Sequence, residues 1–198
     1  DPEVVAHDEI IQGKESWLNK NAFILRGMVP KFADIDINTL NIDPTKIESL
    51  ITNKTRAIVP IHYGGIPAEM DKINGLAEKY NLVVIEDAAQ AVNSKYKGKF
   101  AGSLSKIGAF SFHATKSYSC GEGGAITLND ERYFNRSELI CEKGTDRKKV
   151  ISGLQNKYSW VDIGSSYLPS DLLAAILFGQ LKELKRFQLR RKKLFDAY

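Results

Sequence analysis

The chain has 198 residues, of which 43% are hydrophobic and 26% charged, with a formal net charge of +4. That is an ordinary soluble composition, long enough to bury one core, and no apolar run approaches the ~20 residues of a membrane span. The charge is local: a run of +6 between Lys182 and Lys193 leaves −2 for the remainder, so the chain as a whole is not read as a nucleic-acid binder. The run itself reads as the solvated face of a helix, with an anion or nucleic-acid patch as the alternative. Cys120 and Cys141 make neither a metal spacing nor a disulfide framework and fit a reducing cytosol. The opening Asp1-Pro2-Glu3 is acidic, unlike a secretory signal. A cytoplasmic location is the expectation.

In chain order, Val29 to Ile35 reads as a strand. Asp43-Pro44 opens a short helix, with Asp43 as N-cap and Pro44 in the first helical position. Ala57 to Pro60 is a second strand, and Met70 to Tyr80 a helix with Ile73, Leu76, Ala77 and Tyr80 at helical spacing. Val83 to Glu86 is a third strand, apolar enough to be covered on both faces. This β-α-β-α-β rhythm predicts an α/β domain with a mostly parallel sheet flanked by helices. Lys95 to Gly102 reads as a hairpin or loop. Gly108 to His113 and Gly124 to Leu128 read as two short strands; the Gly121 to Gly124 cluster between them reads as a turn that reverses the chain, with an anion cradle as the alternative. Asp130 caps a helix reaching about Lys143, and Ser170 caps one long helix from Asp171 to Tyr198.

Two residues carry the chemistry. Asp87 follows the third strand, and in an open α/β sheet ligands bind at the carboxyl ends of strands. Lys116 lies just past another strand. An acid and a lysine so placed are what a pyridoxal phosphate (PLP) enzyme needs: the lysine holds the cofactor aldehyde and the carboxylate pairs with the pyridinium nitrogen. The lysine amine, once freed, can also move a proton as base and acid. Alone, Asp87 reads as an N-cap and Lys116 as a surface lysine; together they point to the cofactor. Gln90 shares a face with Asp87 if a helical turn follows, which would bring its amide to the ring. Ser111 alternates with Phe110 and Phe112, and its hydroxyl can donate to a phosphate. His113 is either a cofactor or substrate contact or a satisfied structural histidine. His62, also past a strand, is either a border of the site or structural.

These residues, in this order, resemble the PLP-dependent nucleotide-sugar aminotransferases of the DegT–DnrJ–StrS group. The marks are Asn21-Ala22-Phe23, Phe32-Ala33-Asp34-Ile35-Asp36, Leu40-Asn41-Ile42-Asp43-Pro44, Pro60-Ile61-His62-Tyr63-Gly64-Gly65, Glu86-Asp87-Ala88-Ala89-Gln90 and Ser111 to Lys116. The resemblance implies an aspartate-aminotransferase-like fold (PLP fold type I) and a homodimer with shared active sites. It also implies a nucleotide sugar and glutamate as partners, with neither nucleic acid nor membrane. Residues 1–169 would be the PLP-binding large domain, without its N-terminal segment and phosphate loop. Residues 170–198 would be a long helix leading to a small domain beyond the chain. By the same resemblance, Trp17 stacks on PLP and Ser166 reaches the cofactor phosphate of the neighbouring subunit. Asp1 to Ala6 match nothing in the pattern.

Three details are similar to one branch: Ser111-Phe112-His113 before Thr115-Lys116, Glu142-Lys143-Gly144-Thr145-Asp146-Arg147 and Asp162-Ile163-Gly164-Ser165-Ser166-Tyr167. That branch makes dTDP-4-amino-4,6-dideoxygalactose from dTDP-4-keto-6-deoxyglucose for surface polysaccharides. Sugar 3-dehydratases of the same fold carry histidine in place of the lysine, and Lys116 argues against them. The alternative reading is a non-catalytic truncated homologue that dimerises or binds sugar nucleotide without turnover.

Overall fold

The computed structural model describes residues 3–7 and 21–198. Six strands form one sheet in the order β2-β1-β3-β4-β7-β8. They are β1 (Glu3–His7), β2 (Val29–Ala33), β3 (Thr55–Val59), β4 (Val83–Asp87), β7 (Ile107–Ser111) and β8 (Gly124–Leu128). Every pairing is parallel except the last, β7 with β8. The first strand is a correction to the sequence reading, which placed nothing at Asp1 to Ala6. The backbone of Glu3–His7 runs between β2 and β3, paired with both. Five residues are too short a run for periodicity to separate strand from loop.

The chain divides into two compact units, the first comprising Asp1–Ser111 and Gly124–Asn129 and the second Phe112–Gly123 and Asp130–Tyr198. The first unit holds the sheet. Side chains alternate along β3 and β4, so one face buries Ile58 and Val84 with Ile42, Ile47, Met70 and Ile73. The other face packs Ala57 and Val59 against Val83, Ile85 and Met28. Cover on both faces is why these strands read as continuous apolar runs. Helix α1 (Pro44–Ile47) starts as expected: the Asp43 side chain accepts from the Thr45 amide, with proline in the first turn. Helix α2 (Met70–Lys79) buries Met70, Ile73 and Ala77. The Lys95 to Gly102 segment is a hairpin of β5 (Lys95–Tyr96) and β6 (Lys99–Phe100). Its turn has positive φ at both Lys97 and Gly98, the form that matches strand twist.

In the second unit Asp130 caps a 3-10 turn, Glu131–Tyr133, which continues as helix α3 (Phe134–Cys141). A short helix α4 (Arg147–Ile151) follows. Ser170 caps the next helix through the Leu173 amide, as expected. The single long helix is corrected to two, α5 (Asp171–Lys182) and α6 (Leu184–Phe195). They part at Glu183, whose amide bonds to Gln180 in a 3-10 manner. No residue of either helix is buried within the chain, although Leu172, Ile176 and Phe178 are apolar.

Segments 142–147 and 161–167 interlock in this unit. The Val161 and Asp162 amides both donate to the Gly144 carbonyl (2.8 and 3.0 Å), and Lys143 N–H donates to Ser165 (3.1 Å). The backbones approach so closely that a Cβ on Gly144, at φ +73°, would stand 1.8 Å from the Asp162 carbonyl oxygen. Gly153 has the same φ, +74°, but open space around it. The pair separates backbone strain from crowding. Gly153→Ala should cost about 1 kcal/mol, and Gly144→Ala about 3 kcal/mol or more. Urea denaturation of the two variants checks the difference.

Candidate functional site

Parallel pairing brings the carboxyl ends of β4 and β7 to one edge of the first unit's sheet. Asp87 pairs with Ala109, and Ser111 lies two residues further along β7. Asp87 is buried at 8% exposure, and its Oδ1 accepts from the Ala89 amide at 3.0 Å. No helix follows. The chain makes a turn closed by Ala91 N–H to the Ala88 carbonyl (2.9 Å), so the N-cap alternative for Asp87 falls away. The helical face that would have joined Asp87 to Gln90 falls away with it. Gln90 is exposed, and its Oε1 accepts from the Gly64 amide at 2.7 Å, tying the turn after β3 to the turn after β4. Ser111 is half-buried, with its backbone paired to Gly124.

The sequence reading passed over Glu86. Strand alternation turns it to the face opposite Asp87, where it is fully buried. Its carboxylate takes five donors: His62 Nε2 (3.0 Å), the amides of Gly102 (2.6 Å), Leu104 (2.7 Å) and Ser105 (2.7 Å), and the Ser105 hydroxyl (3.0 Å). His62, also fully buried, accepts the Ala68 amide on Nδ1 at 3.2 Å, so its ring proton lies on Nε2 and is donated to Glu86. His62 is therefore structural. Burial pushes the Glu86 pKa up, but the bonds from His62, Gly102 and Ser105 outweigh it and hold the carboxyl below the ordinary glutamate value. The available signal was an acid directly before Asp87 in an otherwise apolar strand, because a charge there must be buried with partners.

In the second unit, Lys116 is half-buried and ends a tight turn, its amide donating to the His113 carbonyl at 2.9 Å. His113 shapes that turn: its Nδ1 accepts the Thr115 amide at 3.2 Å and lies 3.0 Å from the Thr115 hydroxyl. Gly121, at positive φ, and Gly123 reverse the chain, with Phe112 N–H donating to the Gly123 carbonyl. Ser166 is exposed and bridges by its backbone to Glu142. Trp17 lies outside the described residues.

In the first unit a buried carboxylate, Asp87, and a half-buried serine, Ser111, end adjacent strands, residue types that fit a pyridine nitrogen and a phosphate. Among the described residues no group of three or more His, Cys, Asp or Glu could hold a metal ion. No described helix is long and apolar enough to cross a membrane.

A mostly parallel sheet with flanking helices and an acid at a strand's carboxyl end defines the large domain of a PLP fold type I protein. The chain belongs to the DegT/DnrJ/EryC1/StrS aminotransferase family, whose model matches residues 2–198. The match includes the β1 segment that the sequence reading left unplaced. The spore coat polysaccharide biosynthesis protein SpsC of Bacillus subtilis (strain 168) is 39% identical, over 96% of this chain and 50% of that protein. The aminotransferase TlmJ of Streptoalloteichus hindustanus superposes with a TM-score of 0.85 at 29% identity, over 100% of this chain and 50% of its own. DesI, solved in the presence of its TDP-sugar product, gives 0.80 at 29% identity, over 93% of this chain and 44% of its own. The chain thus spans about half the length of the relatives it matches.

Glu86 anchors the strand end that carries Asp87, and its removal has a defined cost. Glu86→Ala leaves His62, the buried Gly102 amide and the part-buried amides of Leu104 and Ser105 without their acceptor, and should cost about 3–5 kcal/mol. Because the folded-state pKa is depressed, the part of this stabilisation that depends on the ionised carboxylate is complete above the ordinary glutamate range and is lost as pH falls through the lower folded value. Denaturant melts from neutral to acidic pH should show wild type losing stability through that acid range, with the Glu86→Ala curve flatter there.

Proposed function

We propose that this chain carries the cofactor-handling part of a PLP-dependent sugar-nucleotide aminotransferase. The observation that carries this reading is Asp87, a buried acid at the carboxyl end of β4, beside the strand that leads within a few residues to Lys116. Bound PLP supplies an electron sink for the pair released when a carbon–hydrogen bond next to nitrogen breaks. Asp87 keeps the ring nitrogen protonated, which that sink requires. Lys116 holds the cofactor aldehyde and, once freed, carries the proton between the substrate carbon and the cofactor carbon. Ser111 donates to the phosphate, Gln90 flanks the ring from its turn, and Trp17 stacks on it. Ser166 reaches the phosphate held by the neighbouring subunit of a homodimer. The exposed apolar side chains of the second unit, among them Trp160, Ile163, Leu172 and Ile176, support such a dimer.

The finer reading is amino transfer from glutamate to dTDP-4-keto-6-deoxyglucose, giving dTDP-4-amino-4,6-dideoxygalactose for surface polysaccharide. The TDP-sugar bound in DesI and the polysaccharide role in the name of SpsC support the substrate class. The lysine supports transamination over dehydration.

Absorbance and mass detection test both levels. PLP-supplemented protein should show a visible band that borohydride removes and that Lys116→Ala lacks. Lys116→Ala should lower turnover by about a thousandfold or more. Incubation with glutamate and the keto-sugar should yield an amino-sugar product by mass. A protein without the visible band would leave the non-catalytic homologue as the surviving reading.

A further inference from the structure

We infer that Gln180 and Arg191 are positioning residues for Lys116, holding the backbone just beyond it from the two C-terminal helices. The inference rests on Lys116 being the cofactor lysine. The loop from Phe112 to Gly123 closes on itself through Phe112 N–H to Gly123 O (2.8 Å) and Cys120 N–H to Phe112 O (3.0 Å). Its first half is held internally, by the His113 to Lys116 turn. The second half, Ser117 to Ser119, is held from α5 and α6.

Gln180, on α5, takes both backbone groups of one residue. Its Oε1 accepts the Ser119 amide at 3.0 Å, and its Nε2 donates to the Ser119 carbonyl at 2.5 Å. Arg191, on α6, donates from Nη2 to the Ser117 carbonyl at 2.6 Å. Its guanidinium also lies 5.0 Å from the centroid of the Tyr118 ring. Tyr118 is 1% exposed, and its ring sits 6.5 Å from that of Phe187 on α6.

Arg191 therefore differs from three other members of the basic run. Arg186 pairs with Glu183, Lys192 pairs with Asp196, and Lys182 lies over Phe178, each a neighbour in sequence. Arg191 instead reaches Ser117, 74 positions earlier. Lys116 is thus fixed on both sides: its own amide is held by His113, and the carbonyl of the next residue is held by Arg191.

A lysine reaches its target through a long, flexible side chain, so its backbone must be still for the amine to be in place. Misplacement of a catalytic group by about 1 Å costs on the order of a hundredfold in rate. A surface loop without such ties opens at little free-energy cost.

The test uses the 198-residue chain as wild type, Gln180→Ala, Arg191→Ala and Arg191→Lys. Amide hydrogen exchange on cofactor-free protein reads the Lys116 to Ser119 backbone. Capture by PLP with cyanoborohydride, mapped by peptide mass, reads Lys116, with Lys79 and Lys148 as internal controls. Exchange at Ser119 should quicken about tenfold or more in Gln180→Ala. Capture at Lys116 should fall about tenfold in both alanine variants, with Lys79 and Lys148 unchanged. Arg191→Lys, still a donor to Ser117, should recover most of the capture. Wild-type rates of exchange and capture in Gln180→Ala and Arg191→Ala would overturn the inference, as would Arg191→Lys capturing no better than Arg191→Ala. Absence of preferential Lys116 capture in wild type would refute the cofactor-lysine reading instead. In that event quickened exchange would still support the brace, and unchanged exchange would overturn it.

Discussion

A buried carboxylate, Glu86, organises the edge of the sheet on which the proposed site is built. A charge taken out of water is costly unless every lone pair finds a donor, and Glu86 finds five. Three are amides of the 102–105 segment, so the carboxylate acts as the partner that this irregular backbone would otherwise lack. The fourth is His62, which carries the constraint on to the Ala68 amide. Strand alternation places Asp87 on the other face of the same strand end. The residue proposed to hold the cofactor ring therefore inherits its rigidity from a neighbour that never faces the cofactor.

The second unit meets the same need with different materials. Its irregular segments hold one another through crossing backbones, where Gly144 and Gly164 leave no room for a Cβ. Its lysine loop is tied down by side chains from α5 and α6. In both units side chains satisfy backbone near the residue proposed to act: Glu86 the amides of Gly102, Leu104 and Ser105, and Gln180 and Arg191 the groups of Ser119 and Ser117. Satisfied backbone is stiff backbone, and a reacting group must be held in place for transfer chemistry to proceed.

Much of this was legible in the sequence because it follows from local rules. Apolar runs without alternation predicted strands covered on both faces, and Val83–Asp87 is one. Asp43, Pro44 and Ser170 signalled helix starts through chemistry that acts within three residues. Asp87 and Lys116 stood out because few chemistries need that pair after strands. What was not legible depends on partners distant in sequence. Glu86 meets donors up to 24 residues away, and Gln180 meets Ser119 across 61. The β1 strand is defined by neighbours on both sides rather than by its own five residues. His62 reads either as a border of the site or as structural, and only its full burial and its bonds to Glu86 and Ala68 decide for the second. The branch motifs around Gly144 and Gly164 read as a substrate signature, yet their glycines serve a backbone crossing.

That Asp87 and Lys116 serve one cofactor is tested most directly by the protonation state of the cofactor ring. The measurement is nuclear magnetic resonance of protein loaded with PLP carrying an isotopically labelled ring nitrogen, on wild type and Asp87→Asn at mildly alkaline pH. A protonated nitrogen in wild type that becomes unprotonated in Asp87→Asn, with the cofactor still attached to Lys116 in both, is the predicted result. The same nitrogen signal in both proteins, with the cofactor on Lys116, would contradict it.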